Sequence, residues 1–390
     1  MYTFAAPYGI TSQQTHKLTT HLYMEQNELK DIIALFATQG TMGEIKPLGE
    51  GLINDTYLVR TTEADQPDYV LQRVNEKVFP DVDMVMRNIQ AVTTHIRKKL
   101  EAQGTPDIDR RVLRFIPVKG SDKLYAVVDG KYWRLMVFIP NAITKQAVNP
   151  ESSRAAGLAF GQFQSMLADL PVQLGETIKD FHNMEFRLQQ LREVLAADPT
   201  GRAQEPRVQE MLAIINDRAE EMCKAERMGR EGILPKRVCH CDTKVNNMMF
   251  DDHDQVLCVI DLDTVMPNFI FSDYGDFLRT GANYVAEDCP DMDKVGFNMD
   301  IFRAFTEGYL QGAGSFLLPV EIENLPYAAA LFPYMQCVRF LWDYISGDKY
   351  WKCKYPDHNF DRANNQLHLF LSAESHYDEM KKFIEEKRQG

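Results

Sequence analysis

Apolar residues recur every three to four positions at Leu29, Ile32, Ile33 and Phe36, which predicts a helix over residues 27–38. The pattern then shortens. Runs rich in β-branched and aromatic residues at 45–48, 56–61, 69–74, 112–118, 123–128 and 133–138 predict strands. One helix interrupts them over 82–100, marked by Met84, Ile89, Val92, Ile96 and Leu100. Asp129-Gly130, between the last two runs, is a two-residue hairpin turn of the kind that needs positive φ. Beyond Pro140 the helical period returns at 152–170, 185–195, 208–228, 299–311 and about 331–346, broken by a β-like and loop segment at 237–264. Strands and helices that segregate along the chain predict an α+β fold and argue against a doubly wound parallel sheet. The expected layout is a patternless extension over 1–25, a strand-rich lobe over 26–140 and a larger helical lobe over 141–390.

Composition narrows the function classes. The 390 residues, 45% hydrophobic and 25% charged, make two or three domains at about 150 residues each and suffice for a sizeable core. The longest apolar stretches, such as 132–140 with its internal Arg134, fall short of the roughly 20 residues a membrane span needs. With 43 basic against 56 acidic residues the net charge is −13, which repels nucleic-acid backbones and anionic lipid; neither is an expected partner. The N-terminus has no basic segment followed by an apolar run. Seven scattered cysteines, an odd number, suit free thiols in a reducing compartment. The expectation is a soluble, cytoplasmic protein.

The chemistry concentrates in His240-Cys-Asp242-Thr-Lys-Val-Asn246-Asn247, followed by 248–250, an acidic turn at 251–254, and 256–260 ending in Asp261-Leu-Asp263. This reads as loop, strand, turn, strand. An antiparallel hairpin would bring Asn247 next to Asp261, and both offer the hard oxygen donors that Mg²⁺ takes. Asp242, outside the strand, is left to face a substrate. H-x-D-x-x-x-x-N followed by I-D is the pairing in which a loop Asp accepts the proton of an attacking hydroxyl while Asn and a later Asp hold Mg²⁺ on nucleotide phosphates.

These residues resemble the aminoglycoside phosphotransferase/choline kinase superfamily. Over about 43–366 the chain is similar, within it, to the bacterial N-acetylhexosamine 1-kinases. Seven blocks in family order carry the likeness: GEGLINDTYLV, YVLQRVN, VFPDVDMVMRN, HCDTKVNN, IDLDTVMP, MQCVRFLWDYISGD and KYPDHN. The resemblance implies a two-lobed protein-kinase-like fold, with an antiparallel sheet lobe that binds nucleotide and a helical lobe that holds the catalytic and substrate residues. It implies ATP and Mg²⁺ as cofactors and a small sugar, N-acetylglucosamine or N-acetylgalactosamine, phosphorylated at the anomeric hydroxyl. Asp242 would be the base and touch the sugar; Asn247 and Asp261 would hold the metal. ATP would lie between the lobes, its adenine against the connector at Met136 and Phe138. Arg339 and Tyr350 match sugar-contacting positions, while Leu52 stands where the family has a histidine and Thr280 where it has a phenylalanine.

Gly49 and Gly51, with Asn54, sit between two predicted strands, where glycines let backbone amides approach phosphates. Protein kinases place a lysine on the third strand; Gln72 occupies that position here, and Arg73, Arg87 and Lys244 are candidates for the missing charge. His240 is expected to orient its loop. Asp263 is either a further metal contact or a support, and Asp273 is expected to brace the catalytic loop while it or Ser272 caps a helix. Plainer readings stand beside these: Arg339 and Asp343, four apart, could be an ordinary helical ion pair. Cys239, His240, Cys241 and His253 are a weak zinc set, and Trp342 and Trp351 read as packing. Other readings of the whole are a kinase for choline, an amino alcohol or an aminoglycoside, or a non-catalytic nucleotide-binding relative.

Overall fold

The computed structural model describes residues 26–48 and 54–389, in two compact units. One runs through Lys77 and resumes at Phe115–Phe138; the other comprises Val78–Arg114 and the chain from Ile139 onward.

The first unit opens with helix α1 (Gln26–Ile33), shorter than the periodicity predicts. Its sheet contains β1 (Met42–Pro47), β2 (Asp55–Thr61), β3 (Tyr69–Val74), β4 (Ala126–Val128) and β5 (Lys131–Val137), in the order β1-β2-β3-β5-β4. Every pairing is antiparallel. Side chains alternate across a strand, so Tyr57, Val59, Leu71, Trp133, Leu135 and Val137 share the face that packs on Leu29, Ile32 and Ile33 of α1. Asp129 and Gly130 both take positive φ (49° and 72°) and turn β4 into β5 as expected. The run at 112–118 does not become a ladder strand. Pro117 has no N–H to donate, and the segment adds only isolated bridges, Phe115 to Met136 and Phe36 to Val118.

The second unit begins with α2 (Val82–Ala102), capped by Asp81, and α3 (Pro150–Leu167), whose Asn149 and Ser152 form a reciprocal cap. There follow α4 (Met184–Ala197), α5 (Pro206–Met222) and α6 (Lys224–Arg230); the single helix expected at 208–228 breaks at Cys223. Next come β6 (Arg237–Cys239), β7 (Met248–Phe250), β8 (Val256–Val259), β9 (Met266–Asn268) and α7 (Phe271–Gly281). The chain ends in α8 (Met299–Ala313), α9 (Pro319–Glu323), α10 (Leu325–Ser346), α11 (His358–Ser375) and α12 (Tyr377–Gln389). α10 is buried along almost its whole length and packs against α4, α7 and α11. None of the described helices is long and apolar enough to cross a membrane.

Two contacts in this unit position the site. α3 and α8 approach through glycines: a Cβ on Gly157 would fall 2.1 Å from the Phe305 carbonyl oxygen, and one on Gly308 would fall 2.0 Å from that of Arg154. Backbone therefore meets backbone, and α3 is held close enough to present Gln164 to α7. α2 is tied in by Asn88, whose Nδ2 donates to the carbonyls of Gly175 (2.8 Å) and Val265 (2.9 Å).

Candidate active site

β7 and β8 pair antiparallel, Met248 opposite Val259, and the Ile260 N–H donates to the Asn247 carbonyl (2.9 Å). The hairpin thus brings Asn247 beside Asp261, as the spacing predicts. Asp261 takes a left-handed backbone (φ 59°) and its side chain is exposed. The 251–254 turn closes on Asp251, whose Oδ1 accepts from the N–H of His253 and of Gln255 (2.9 Å each).

The loop from β6 to Asn247 is braced from below by two buried carboxylates of α7. Asp273, fully buried, accepts from the N–H of His240 (2.9 Å) and Cys241 (2.8 Å) and from Gln164 Nε2 (2.8 Å), while Tyr309 donates to Gln164 Oε1 (2.6 Å). Asp276 accepts from the Thr243 N–H (3.0 Å) and pairs with Arg279 (3.1 Å). Burial pushes both carboxyls above the usual range, opposed at Asp273 mainly by His240 and at Asp276 mainly by Arg279. Neither Ser272 nor Asp273 caps the helix. α7 starts at Phe271, so Asp273 lies in its first turn, where the helix dipole favours a negative charge. His240, buried, links loop to hairpin through Nε2 and the Ile260 carbonyl (2.8 Å), and its Nδ1 accepts from the Asp242 N–H (3.3 Å).

Asp242 is half-buried, and its Oδ2 accepts from Asn247 Nδ2 (2.9 Å) and faces Lys244 Nζ (3.0 Å). Asn247 Nδ2 also donates to the Asp242 carbonyl (2.8 Å), which fixes the amide plane and directs its Oδ1 away from both bonds. Burial opposes the Lys244 charge, yet Asp242, Asp261 and Asp276 hold it above the usual lysine value. Asp263 is buried in the tight turn Leu262–Thr264, and Thr264 Oγ1 donates to the His240 carbonyl (2.7 Å).

The donor set suits Mg²⁺: one amide oxygen and one exposed carboxylate, with room for phosphate oxygens and water, and no all-protein cage. Among the described residues no group of three or more His, Cys, Asp or Glu converges as a metal cluster. Cys239 and Cys241 pack together with Met266, and burial pushes both thiols well above the usual thiol range.

Across the same unit, Arg339 of α10 does not pair with Asp343. Its guanidinium lies between the rings of Phe181 (5.3 Å) and Trp351 (5.2 Å) and donates to Gln336 Oε1 (3.1 Å). Asp343, fully buried, instead accepts from the N–H of Lys349 (2.9 Å), Tyr350 (2.8 Å) and Trp351 (3.0 Å) and from Asn359 Nδ2 (2.8 Å). It therefore shapes the loop that presents Tyr350, which is 55% exposed and stacks edge-on against Trp351. Sequence reasoning missed Phe181 and Arg187. Arg187 grips the Phe181 carbonyl through Nε (3.1 Å) and Nη2 (2.7 Å), and no pattern in the chain marks that pair. Thr280 turns its hydroxyl back to the Asp276 and Phe277 carbonyls.

In the sheet unit, Gly49, Gly51 and Leu52 lie outside the described residues. Asn54 Oδ1 accepts from the Asn75 N–H (3.0 Å). Met136 is buried in β5, and the Phe138 N–H donates to the Asp68 carbonyl (2.8 Å). Gln72 is opposite Arg134 in the β3–β5 register, and its Oε1 accepts from Arg134 Nε (3.0 Å) and Nη2 (2.9 Å). Of the cations considered for the missing lysine, Arg73 sits on the opposite face with Asp55, Arg87 pairs with Asp83 in α2, and Lys244 faces Asp242.

A sheet of five antiparallel strands, a helical unit, and a loop Asp joined by an Asn five residues on and an Asp across a hairpin define a protein-kinase-like phosphotransferase architecture. Residues 44–313 match the phosphotransferase enzyme family, and the chain belongs to it. Among solved structures, it is similar to an aminoglycoside phosphotransferase from Alicyclobacillus acidocaldarius, at 12% identity and a TM-score of 0.62 over 92% of this chain and 96% of that one. An amicoumacin kinase bound to AMP-PNP and Ca²⁺ matches at 15% and 0.53 over 95% and 96%. A Plasmodium vivax ethanolamine kinase matches at 13% and 0.52 over 93% and 95%. Likeness at such identities is likeness of fold.

Proposed function

We propose that the protein transfers the γ-phosphoryl group of ATP, with Mg²⁺, to the anomeric hydroxyl of N-acetylglucosamine or N-acetylgalactosamine, giving the sugar 1-phosphate and ADP. The observation that carries the reaction class is Asp242 tethered through Oδ2 to Asn247 and Lys244, with its other oxygen clear of both contacts. That oxygen accepts the acceptor's proton as the hydroxyl attacks in line. Lys244 offsets the charge gathered by Asp242 and Asp261. Asn247 and Asp261 would hold Mg²⁺, which when bound neutralises phosphate charge. Nucleotide binding falls to Asn54, Gln72, Met136 and Phe138, with Gly49 and Gly51. Most of the acceleration is positioning and electrostatic.

The acceptor is supported by the seven family blocks and by Arg339, a guanidinium framed by two aromatic faces beside the exposed Tyr350. Ethanolamine and choline, the acceptors in the names of the fold's other members, are cations that Arg339 and Arg187 repel. A neutral sugar with an amide carbonyl is not repelled. The seven unpaired cysteines support a cytoplasmic location. The test compares each free sugar with its methyl glycoside, which lacks only the anomeric hydroxyl. Free sugars should turn over and glycosides should not. Turnover of a glycoside, or phosphorus coupled to any position but carbon 1, sinks the 1-kinase reading.

A further inference from the structure

Two guanidiniums of the helical unit are held by neutral groups. Among the described residues neither Arg187 of α4 nor Arg339 of α10 makes an ion pair. Arg187 donates to the Phe181 carbonyl and, through Nη1, to Gln190 Oε1 (2.8 Å), and lies over the Phe186 ring (5.3 Å). Arg339 donates to Gln336 Oε1 (3.1 Å) between the rings of Phe181 and Trp351. Buried charges are ordinarily paired, and here each guanidinium has an amide where a counter-charge would serve. The carboxylates of the neighbourhood are engaged by other groups. Asp276 and Glu287 pair with Arg279 (3.1 and 2.7 Å), and Asp180 accepts from Asn183 Nδ2 (2.9 Å).

The cations crowd one another. Burial and Arg339 bring Arg187 down to about 9, and burial and Arg279 lower Arg339, while the Tyr350 phenol favours both charges. His182 stacks on the Phe181 ring (4.3 Å). Burial, then Arg339, Arg187 and Arg279, hold its imidazole well below the usual histidine range, and its buried Nδ1 meets no partner among the described residues. The group is open to solvent: Phe181, His182, Arg187, Arg339 and Trp351 are half-buried and Tyr350 is exposed. It also adjoins the catalytic loop, because Arg279 pairs with Asp276, which accepts from the Thr243 N–H (3.0 Å) next to Asp242.

We propose that Arg187 and Arg339 bind a carboxylate, and that the protein phosphorylates hexuronic acids, sugars with both a carboxylate and a free anomeric hydroxyl, at carbon 1. The inference rests on the reading of this site as an ATP-dependent sugar 1-kinase and extends its acceptors from neutral to anionic sugars. The anomeric oxygen bonds to the γ-phosphorus as the bond from that phosphorus to the β–γ bridging oxygen breaks. ADP leaves with that electron pair, the hydroxyl proton passes to Asp242, and the carboxylate is unchanged. Guanidinium forks match carboxylate oxygens, and partial burial strengthens the attraction. The neutral imidazole of His182 adds a hydrogen bond without a further charge.

Titration calorimetry on the full chain compares glucuronic and galacturonic acid with glucose and galactose, and turnover of each is followed beside N-acetylglucosamine. Each uronic acid should bind about tenfold or more tighter than its parent hexose, and its product should show phosphorus coupled to carbon 1. Gln190→Glu gives Arg187 an isosteric counter-charge and should cut the uronate-to-hexose affinity ratio about tenfold. Arg187→Gln should lower the ratio similarly; Gln190→Glu carries the test should that variant not fold. Equal affinity for uronic acid and hexose, or an unchanged ratio in Gln190→Glu, would overturn the carboxylate site. Uronic acids that bind but are not phosphorylated, while N-acetylglucosamine is, would overturn them as acceptors. Failure of N-acetylglucosamine itself to turn over would count against the sugar 1-kinase reading, whereas the affinity ratio judges the carboxylate site by itself.

Discussion

Asp273 and Asp343 solve one problem in two places. Each is fully buried, and each uses its carboxylate to collect backbone N–H groups from a loop that carries proposed site residues. Asp273 stands in the first turn of α7, where the helix dipole favours its charge, and takes two backbone donors and one amide. Asp343 stands in the last turn of α10, where the dipole opposes it, and takes three successive backbone donors and one amide. The extra donor offsets the unfavourable helix end. A buried carboxylate is thus a loop-shaping centre whose helix position sets how many donors it needs.

The comparison breaks most severely at Asp273. Asp273→Ala should cost about 3–5 kcal/mol in urea unfolding, because two N–H groups and Gln164 lose a buried partner. Asp242→Asn, on the loop that Asp273 holds, should leave stability near wild type while kcat falls at least about a hundredfold, close to 2.7 kcal/mol of barrier. Retention of more than a tenth of kcat would exclude Asp242 as the base. Asp343→Asn should raise the sugar KM by roughly tenfold, about 1.4 kcal/mol, with kcat little changed, because the Tyr350 loop loosens while the catalytic loop stays. Equal effects on kcat would mean the two loops are not separate.

Glu226 is the mildest case. It is buried with one backbone donor, the Met184 N–H (2.6 Å), and burial raises its carboxyl to about 7. A carboxyl raised on folding stabilises the protonated protein. Its contribution is complete below the unfolded value near 4.5 and is lost as pH rises through about 7. Thermal melts of wild type should therefore decline between those values, and Glu226→Gln should flatten the decline. An unchanged pH profile would show that Glu226 is already solvated.

The hairpin, the Asp242–Asn247–Asp261 grouping and the α+β segregation were legible because each is local: a spacing, an alternation or a run. The partners of Asp343 were not legible, because the i,i+4 rule sees only one helix and its donors come from the loop after it. Gln164 gave no signal, since its reach to Asp273 depends on how α3 packs against α8. α11 hid its inward face behind Asn359 and Asn365, polar residues whose burial is satisfied by Asp343 and by the Ala286 and Cys289 carbonyls. Arg134 was visible as a charge in an apolar run, but its meeting with Gln72 follows only from the cross-strand register.

The glycine contact between α3 and α8 acts as a fixed ruler. Where main chain touches main chain, no rotamer can take up slack and no substitution can shim the gap, so the offset of the two rods is set by peptide geometry alone. Gln164 projects from one rod by a constant length and ends on Asp273. The loop that carries Asp242 thus takes its height from a distance that the surrounding side chains do not set.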